Sequence, residues 1–310
     1  MPSAYAWQVL NTLSPPTVQT ANPDRLEALI RINTKDLIEA AGLGHIRHGR
    51  ALLKAMVRPL AVRFAQQVME FDHRVATEGL PAAGKWVVSE FAQSYRTTGW
   101  HPEHQHGPVL IVSNHPGLTD ALALFASVGR TDLRIIARNR DFLEAMPHMS
   151  RHLIYVPDVD KDPGNTRFLS IRRVIAALRE GRAVMTFPAG KIEPDPAVMP
   201  GAAASLETWS ESMGLFVRRV PEMMVIPVIV SGVISPTALR SPLARIRRTQ
   251  KDREWLAATL QIVFRRYQNT PIHCHFGPPM LARDLVAEYG DAAAITQAII
   301  QRAKNLLPSV

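Results

Sequence analysis

At 310 residues, with 46% hydrophobic and 20% charged residues, the chain has the composition of an ordinary globular protein and length for one large domain or two smaller ones. A formal net charge of +9 implies a positive field that attracts anionic membranes, nucleic acid and acidic carriers or substrates. A single cysteine excludes an intrachain disulfide framework and fits a reducing compartment.

The N-terminus lacks the charged-then-apolar pattern of a secretory signal, and no run reaches the roughly 18 to 20 apolar residues of a membrane span. The most apolar stretch, 223–234, is too short and contains Pro227. The chain is expected to be soluble or bound to a membrane surface.

Residues 1–104 read as a helical region. Apolar residues recur at spacings of three and four over 25–33, 34–41, 45–77 and 82–95. Asn22 and Thr34 suit N-caps, and Gly42, Gly44 and Gly79 suit stops. Within 45–64, Arg47, Arg50, Lys54 and Arg58 recur at helical spacing beside Leu52, Leu53, Met56, Val57 and Leu60, a pattern that fits an anionic lipid surface or a core helix with a solvated cationic face. Residues 101–108 are polar and broken by proline, a linker. Their three histidines lack the Cys or carboxylate partners that a metal site would need.

The second region is expected over 105–310, and from Pro108 onward strands and helices alternate. Strands are expected at 109–113, 132–137, 152–156, 182–187, 224–230 and 272–276, and helices at 118–128, 140–150, 165–180, 201–213, 251–268 and 291–306. Such alternation predicts an α/β fold with a mostly parallel sheet covered by helices on both faces, preceded by the N-terminal helical region. A second basic cluster, Arg245, Arg247, Arg248, Lys251 and Arg253, extends the positive surface or is simply solvated.

The chemistry concentrates after the first of these strands. The apolar run Val109 to Val112 is cut by Asn114-His115-Pro116-Gly117, and an apolar helix follows, with Asp120 in its first turn. A chain reversing there lets Asp120 accept a hydrogen bond from one imidazole nitrogen of His115 and leaves the other as a base at the mouth of an α/β core. Phe187-Pro188-Ala189-Gly190 closes a second apolar strand in the same way, so the two turns can converge on one site. This pair suits abstraction of a proton from an attacking hydroxyl or amine, a step for which a general base supplies ~10²–10⁴ in rate. Amides near Gly117 or Gly190 are candidate oxyanion donors, worth a further ~10²–10³. No Gly-x-Ser-x-Gly elbow is present, which disfavours a serine hydrolase. His273 and His275 share one face of an expected strand, without a third ligand nearby, so no metal is expected there.

Over about residues 105–235, less than half the chain, the arrangement resembles the PlsC-like glycerolipid acyltransferase family. Asn114 to Asp120 matches its Asn-His-x4-Asp motif, Phe187 to Gly190 its Phe-Pro-Glu-Gly motif except at Ala189, and Val225-Ile226-Pro227-Val228 its apolar, proline-centred fourth motif. The second motif, which ends in an arginine, is poorly matched by residues 153–158, with Lys161 and Arg167 the nearest cations. The resemblance implies His115 as general base, Asp120 as its orienter, and Asn114, Gly117, Phe187, Pro188, Gly190, Lys191 and Arg167 as substrate-binding residues. Ala189 departs from a glutamate that helps hold a glycerol-phosphate acceptor; Lys191 and Glu193 are candidates to take over part of that role. Phe-Pro-Ala-Gly also resembles branches that acylate other acceptors, such as the ornithine-lipid O-acyltransferases.

The implied function is transfer of a fatty acyl group from acyl-CoA or acyl carrier protein, as co-substrate, to a lysophospholipid, glycerol phosphate or lyso-aminolipid. No other cofactor and no nucleic acid are expected, and the place of action is the cytoplasmic face of a membrane. The alternative is a non-catalytic basic protein that binds lipid or nucleic acid; 6% aromatic residues and the lack of a helix-turn-helix, RRM or zinc-finger signature argue against the latter.

Overall fold

A computed structural model of the chain describes residues 23–46, 48–156 and 165–308. Asn22, Arg47, Asp158, Lys161 and the side chain of Arg167 lie outside the described residues.

Three long helices come first: α1 (Pro23–Ala40), α2 (Arg50–Thr77) and α3 (Leu80–Phe91). The first replaces the two helices expected over 25–41. No Gly or Pro interrupts 24–40, and Thr34, expected as a cap, is buried in mid-helix along a stripe with Leu29, Ile30 and Ile38. The chain leaves α1 at Gly42, whose φ of 78° closes the end with Gly42 N–H on the Glu39 carbonyl. At Gly84 of α3 a Cβ would stand 2.9 Å from the backbone nitrogen of Ala126, so glycine is what lets α3 lie directly on the following helix of the sheet.

An eight-stranded sheet follows, formed by β1 (Ser94–Thr98), β2 (Val109–Ser113), β3 (Arg134–Arg138), β4 (Leu153–Val156), β5 (Ala183–Thr186), β6 (Met224–Ser231), β7 (Pro271–Phe276) and β8 (Met280–Leu281). Their order is β1-β7-β6-β2-β5-β3-β4, with β8 also on β6. From β6 to β4 all neighbours are parallel; β7 and β8 run antiparallel to β6, and β1 is parallel to β7. Pro227 falls in the gap of β6 between its β8 and β7 partners. Its carbonyl faces that edge and accepts from Gly277 N, so its missing N–H leaves no ladder bond unmade.

The helices of the α/β part are α4 (Leu118–Val128), α5 (Asn165–Arg179), α6 (Ser212–Arg219), α7 (Gln250–Val263), α8 (Ala282–Tyr289) and α9 (Ala292–Lys304), joined by shorter turns. The helix expected over 140–150 is two single turns, Asp141–Glu144 and Pro147–Ser150, broken at Pro147. That expected over 201–213 is Ala202–Leu206 followed by α6.

Strand β2 lies in the middle of the sheet, buried along its whole length. Val109 and Ile111 face one core with Met185, Ile226, α4, α7 and the three N-terminal helices; Leu110 and Val112 face the other, with Val184, Val225, α5, α6, α8 and α9. Covering both faces explains why the strand reads as a continuous apolar run. Strand β1 precedes the expected boundary at residues 104/105 yet pairs with β7 from Ser94↔Pro271 to Thr98↔His275, and α1 to α3 share a core with the sheet. Buried Asp72 of α2 ties the helices in further, accepting from Arg25 and from the amides of His148 and Met149. Among the described residues no helix is long and apolar enough to cross a membrane.

Candidate active site

Because β5, β2 and β6 are adjacent and parallel, their carboxyl ends emerge side by side, the position at which open α/β sheets place ligand sites. Asn114 continues β2 with its side chain. Its carboxamide donates to the Val230 carbonyl at 2.9 Å and accepts from the Val230 amide at 2.7 Å, stitching the end of β2 to β6. Both faces of the buried amide are thereby occupied, and Asn114, expected to bind substrate, instead fixes the turn that carries the next residue.

That residue is His115. Its Nδ1 lies 2.8 Å from Asp120 Oδ2, with the imidazole 27% exposed and the carboxylate fully buried. Asp120 also accepts from Gly117 N (3.2 Å) and Ala121 N (2.5 Å) in the first turn of α4, where the helix end favours negative charge. An ionised carboxylate can only accept, so the proton resides on Nδ1 and Nε2 is left as the basic nitrogen. Burial opposes the imidazolium, but the charge and hydrogen bond of Asp120, together with the charge of Glu193, outweigh it, and His115 titrates above the ordinary imidazole value. Gly117 lets the turn close on its neighbour, since a Cβ there would stand 3.0 Å from Val233 Cγ1.

The second turn converges as expected. The Phe187 ring packs on the imidazole, centroids 4.5 Å apart, and restricts its rotation. Pro188 is buried and its carbonyl accepts from Ser210 N. Gly190, with φ at 62°, donates its amide to the Phe187 carbonyl and closes the turn, while Lys191 and Ile192 are exposed beyond it. Ala189 packs against the second core.

Two expectations are corrected here. Of the amides near Gly117 and Gly190 expected as oxyanion donors, those of the two glycines themselves are already bonded, to Asp120 and to the Phe187 carbonyl. Glu193, expected toward the acceptor, is buried beneath the site: Oε2 accepts the His115 amide at 3.0 Å, and Oε1 accepts from Trp209 Nε1 at 3.0 Å and Ser205 Oγ at 3.1 Å. Burial pushes its carboxyl above the usual carboxylate range, against the pull of these donors and of His115.

Sequence reasoning missed two neighbours. Fully buried Asp195 accepts the amides of Gly232, Val233 and Ile234 beyond β6, and that of Ala197. Exposed Arg138, at the end of β3, brings Nη2 to 3.6 Å from the position a Gly190 Cβ would take. The only available signal was the Glu193-Pro194-Asp195-Pro196 alternation, in which prolines fix the backbone around two carboxylates. Among the described residues no group of three His, Cys, Asp or Glu side chains could hold a metal ion.

Residues 94–231 match the family model described as Acyltransferase. The matched stretch, less than half of the chain, runs from β1 to the end of β6 and so contains both convergent turns and the Asn114–Val230 stitch. No curated protein sequence matches the chain. Among solved structures, it is similar to the crystal structure of the 1-acyl-sn-glycerophosphate (LPA) acyltransferase PlsC from Thermotoga maritima, at 14% identity and a TM-score of 0.39, over 90% of this chain and 95% of that one.

Proposed function

We propose that the chain is an acyltransferase that moves a fatty acyl group from an acyl thioester, acyl-CoA or acyl carrier protein, to a hydroxyl of a lysophospholipid, glycerol phosphate or lyso-aminolipid. The observation that carries this reading is the His115–Asp120 pair at the carboxyl end of the central strand, inside the stretch that matches the Acyltransferase family model.

In this mechanism Nε2 of His115 takes the proton of the acceptor hydroxyl as its oxygen attacks the thioester carbonyl. The tetrahedral adduct collapses, the C–S bond breaks, and the imidazolium returns the proton to the departing thiolate. Asp120 holds the tautomer that makes Nε2 basic and stabilises the imidazolium between the two steps. Lys191, exposed beyond the Gly190 turn, and Arg138 beside that turn supply positive charge for a phosphate or carboxylate of either substrate.

A lipid partner is supported by what surrounds the mouth. Leu118, Phe168, Leu169 and Ile192 are exposed apolar residues on segments that follow β2, β4 and β5 at the carboxyl side of the sheet. A second exposed surface, Leu52 and Met56 on α2 with Arg50, Lys54 and Arg58, suits an anionic headgroup layer. The proposed place of action is the cytoplasmic face of a membrane, with the protein bound at its surface.

The test is thioester consumption with acyl-CoA and acyl carrier protein against a panel of lysolipid acceptors, comparing wild type with His115→Ala, both shown by circular dichroism to be folded. Acceptor-dependent thiol release that disappears in the variant is the expected result. No release with any donor from folded wild type would shift the reading to a non-catalytic basic protein that binds lipid or nucleic acid.

A further inference from the structure

We infer that Glu193 is a positioning residue for His115, a second buried carboxylate that pins the backbone of the base and supports its protonated form alongside Asp120. The inference rests on the acyltransferase reading for its effect on turnover, but not for its effect on the imidazole.

The attachment is made twice. The His115 amide donates to Glu193 Oε2, and the Glu193 amide donates to the His115 carbonyl at 2.8 Å, so both peptide groups of His115 are held by one residue 78 positions away. The other oxygen, Oε1, is held by Trp209 and Ser205, which fixes the clamp to the segment 205–209. An amide N–H and an indole N–H can only donate, so each oxygen faces an obligate donor, the environment of an ionised carboxylate. No cationic side chain bonds to it among the described residues, and a buried charge held by dipoles alone is costly. A carboxamide would offer one acceptor and turn its NH2 on the other donor, so a carboxylate is what fits here, and its charge acts on His115. The group under the influence of that charge that itself gains charge during acyl transfer is the imidazole. The charged groups acting on His115 are Asp120 from α4 and Glu193 from the loop after β5, while Phe187 covers one face with an uncharged ring and Lys191 lies exposed. Asp195, two residues on, is engaged with the turn after β6.

The experiment uses the full chain. The imidazole midpoint of His115 is read by NMR titration of its ring protons in wild type, Glu193→Gln and Trp209→Phe, beside thermal unfolding and the pH profile of kcat/KM. Glu193→Gln is expected to lower the midpoint, and the acid limb with it, by about 0.5–1 pH unit, since a unit charge several ångströms away in a medium of intermediate dielectric acts on that scale. Its kcat is expected to fall about 10–100-fold with KM little changed, the signature of an interaction used in the transition state. Trp209→Phe keeps the charge and loosens the clamp, so kcat should fall at least about threefold while the midpoint stays. An unmoved midpoint in folded Glu193→Gln would overturn the electrostatic role. If Glu193→Gln does not fold, undiminished kcat in Trp209→Phe overturns the positioning role. Absence of acyl transfer from wild type would remove the kinetic readout and the reading above, while the titration would still decide what Glu193 does to His115.

Discussion

Removing the Asp195 carboxylate should be among the most damaging single changes outside the hydrophobic core. It is fully buried and takes Val233 N at 2.6 Å and Ile234 N at 2.8 Å on Oδ2, and Gly232 N at 2.9 Å and Ala197 N at 3.0 Å on Oδ1. In Asp195→Ala the exposed Ala197 amide can turn to water, but the other three lose their acceptor where the chain is largely buried. A buried donor left unsatisfied costs about 1–3 kcal/mol. Allowing for water entering the vacated space, the net loss is about 3–5 kcal/mol, against about 5–15 kcal/mol for the whole fold. At about 2–4 °C per kcal/mol the midpoint of thermal unfolding should drop by about 6–20 °C. Asp195→Asn keeps one oxygen and should lose about half as much. The assay is circular-dichroism melting with hydrogen exchange at Gly232, Val233 and Ile234, whose protection should fall before that of β2. A melting point for Asp195→Ala within about 2 °C of wild type would refute the reasoning, since those amides would then have other acceptors.

Asp120→Asn should lower kcat by about 10²–10⁴, because an amide N–H facing Nδ1 favours the tautomer with the proton on Nε2; kcat within threefold of wild type would rule out the assigned tautomer. The same pair sets a pH dependence of stability. His115 is raised above its unfolded value near 6.5, so its contribution is full below that pH and is lost as pH rises through the folded value. Melting temperatures should therefore fall across that window in wild type and less steeply in Asp120→Asn. Burial pushes the Cys274 thiol up to about 12, so a thiol reagent at pH 8 should modify the chain only at its rate of unfolding; rapid labelling of the native protein would contradict the packing of β7.

What the sequence made legible was local or doubly buried. Strand β2 and helix α4 begin and end where the pattern predicts, one because both faces are apolar, the other because Gly117 and Gly129 bracket it. His115 and Asp120 are five positions apart and meet within one turn, so spacing alone brings them together. Strand β1 was not legible, because Ser94-Tyr95-Arg96-Thr97-Thr98 is polar and half exposed, and only its pairing with β7 makes it a strand. Glu193 was legible only as a carboxylate near the acceptor edge, and Asp195 not at all, in a proline-rich loop. Their burial is decided by Trp209, Val233 and a histidine 78 residues earlier, which no local pattern encodes. Asn114 was singled out correctly as part of the turn, but its partner Val230 is 116 positions away, so its role as a stitch could not be read.

The shared core of the N-terminal helices and the sheet has a mechanical consequence. Helix α2 is 28 residues long, about 42 Å, with its later turns embedded beside the sheet and its first turns bare. It cannot hinge away to lie flat on a bilayer without pulling Val68, Phe71 and Val75 out of that core. It acts as a strut: whatever its tip rests on, the His115 mouth is presented at one set height and tilt, and substrate reach becomes a matter of lever geometry.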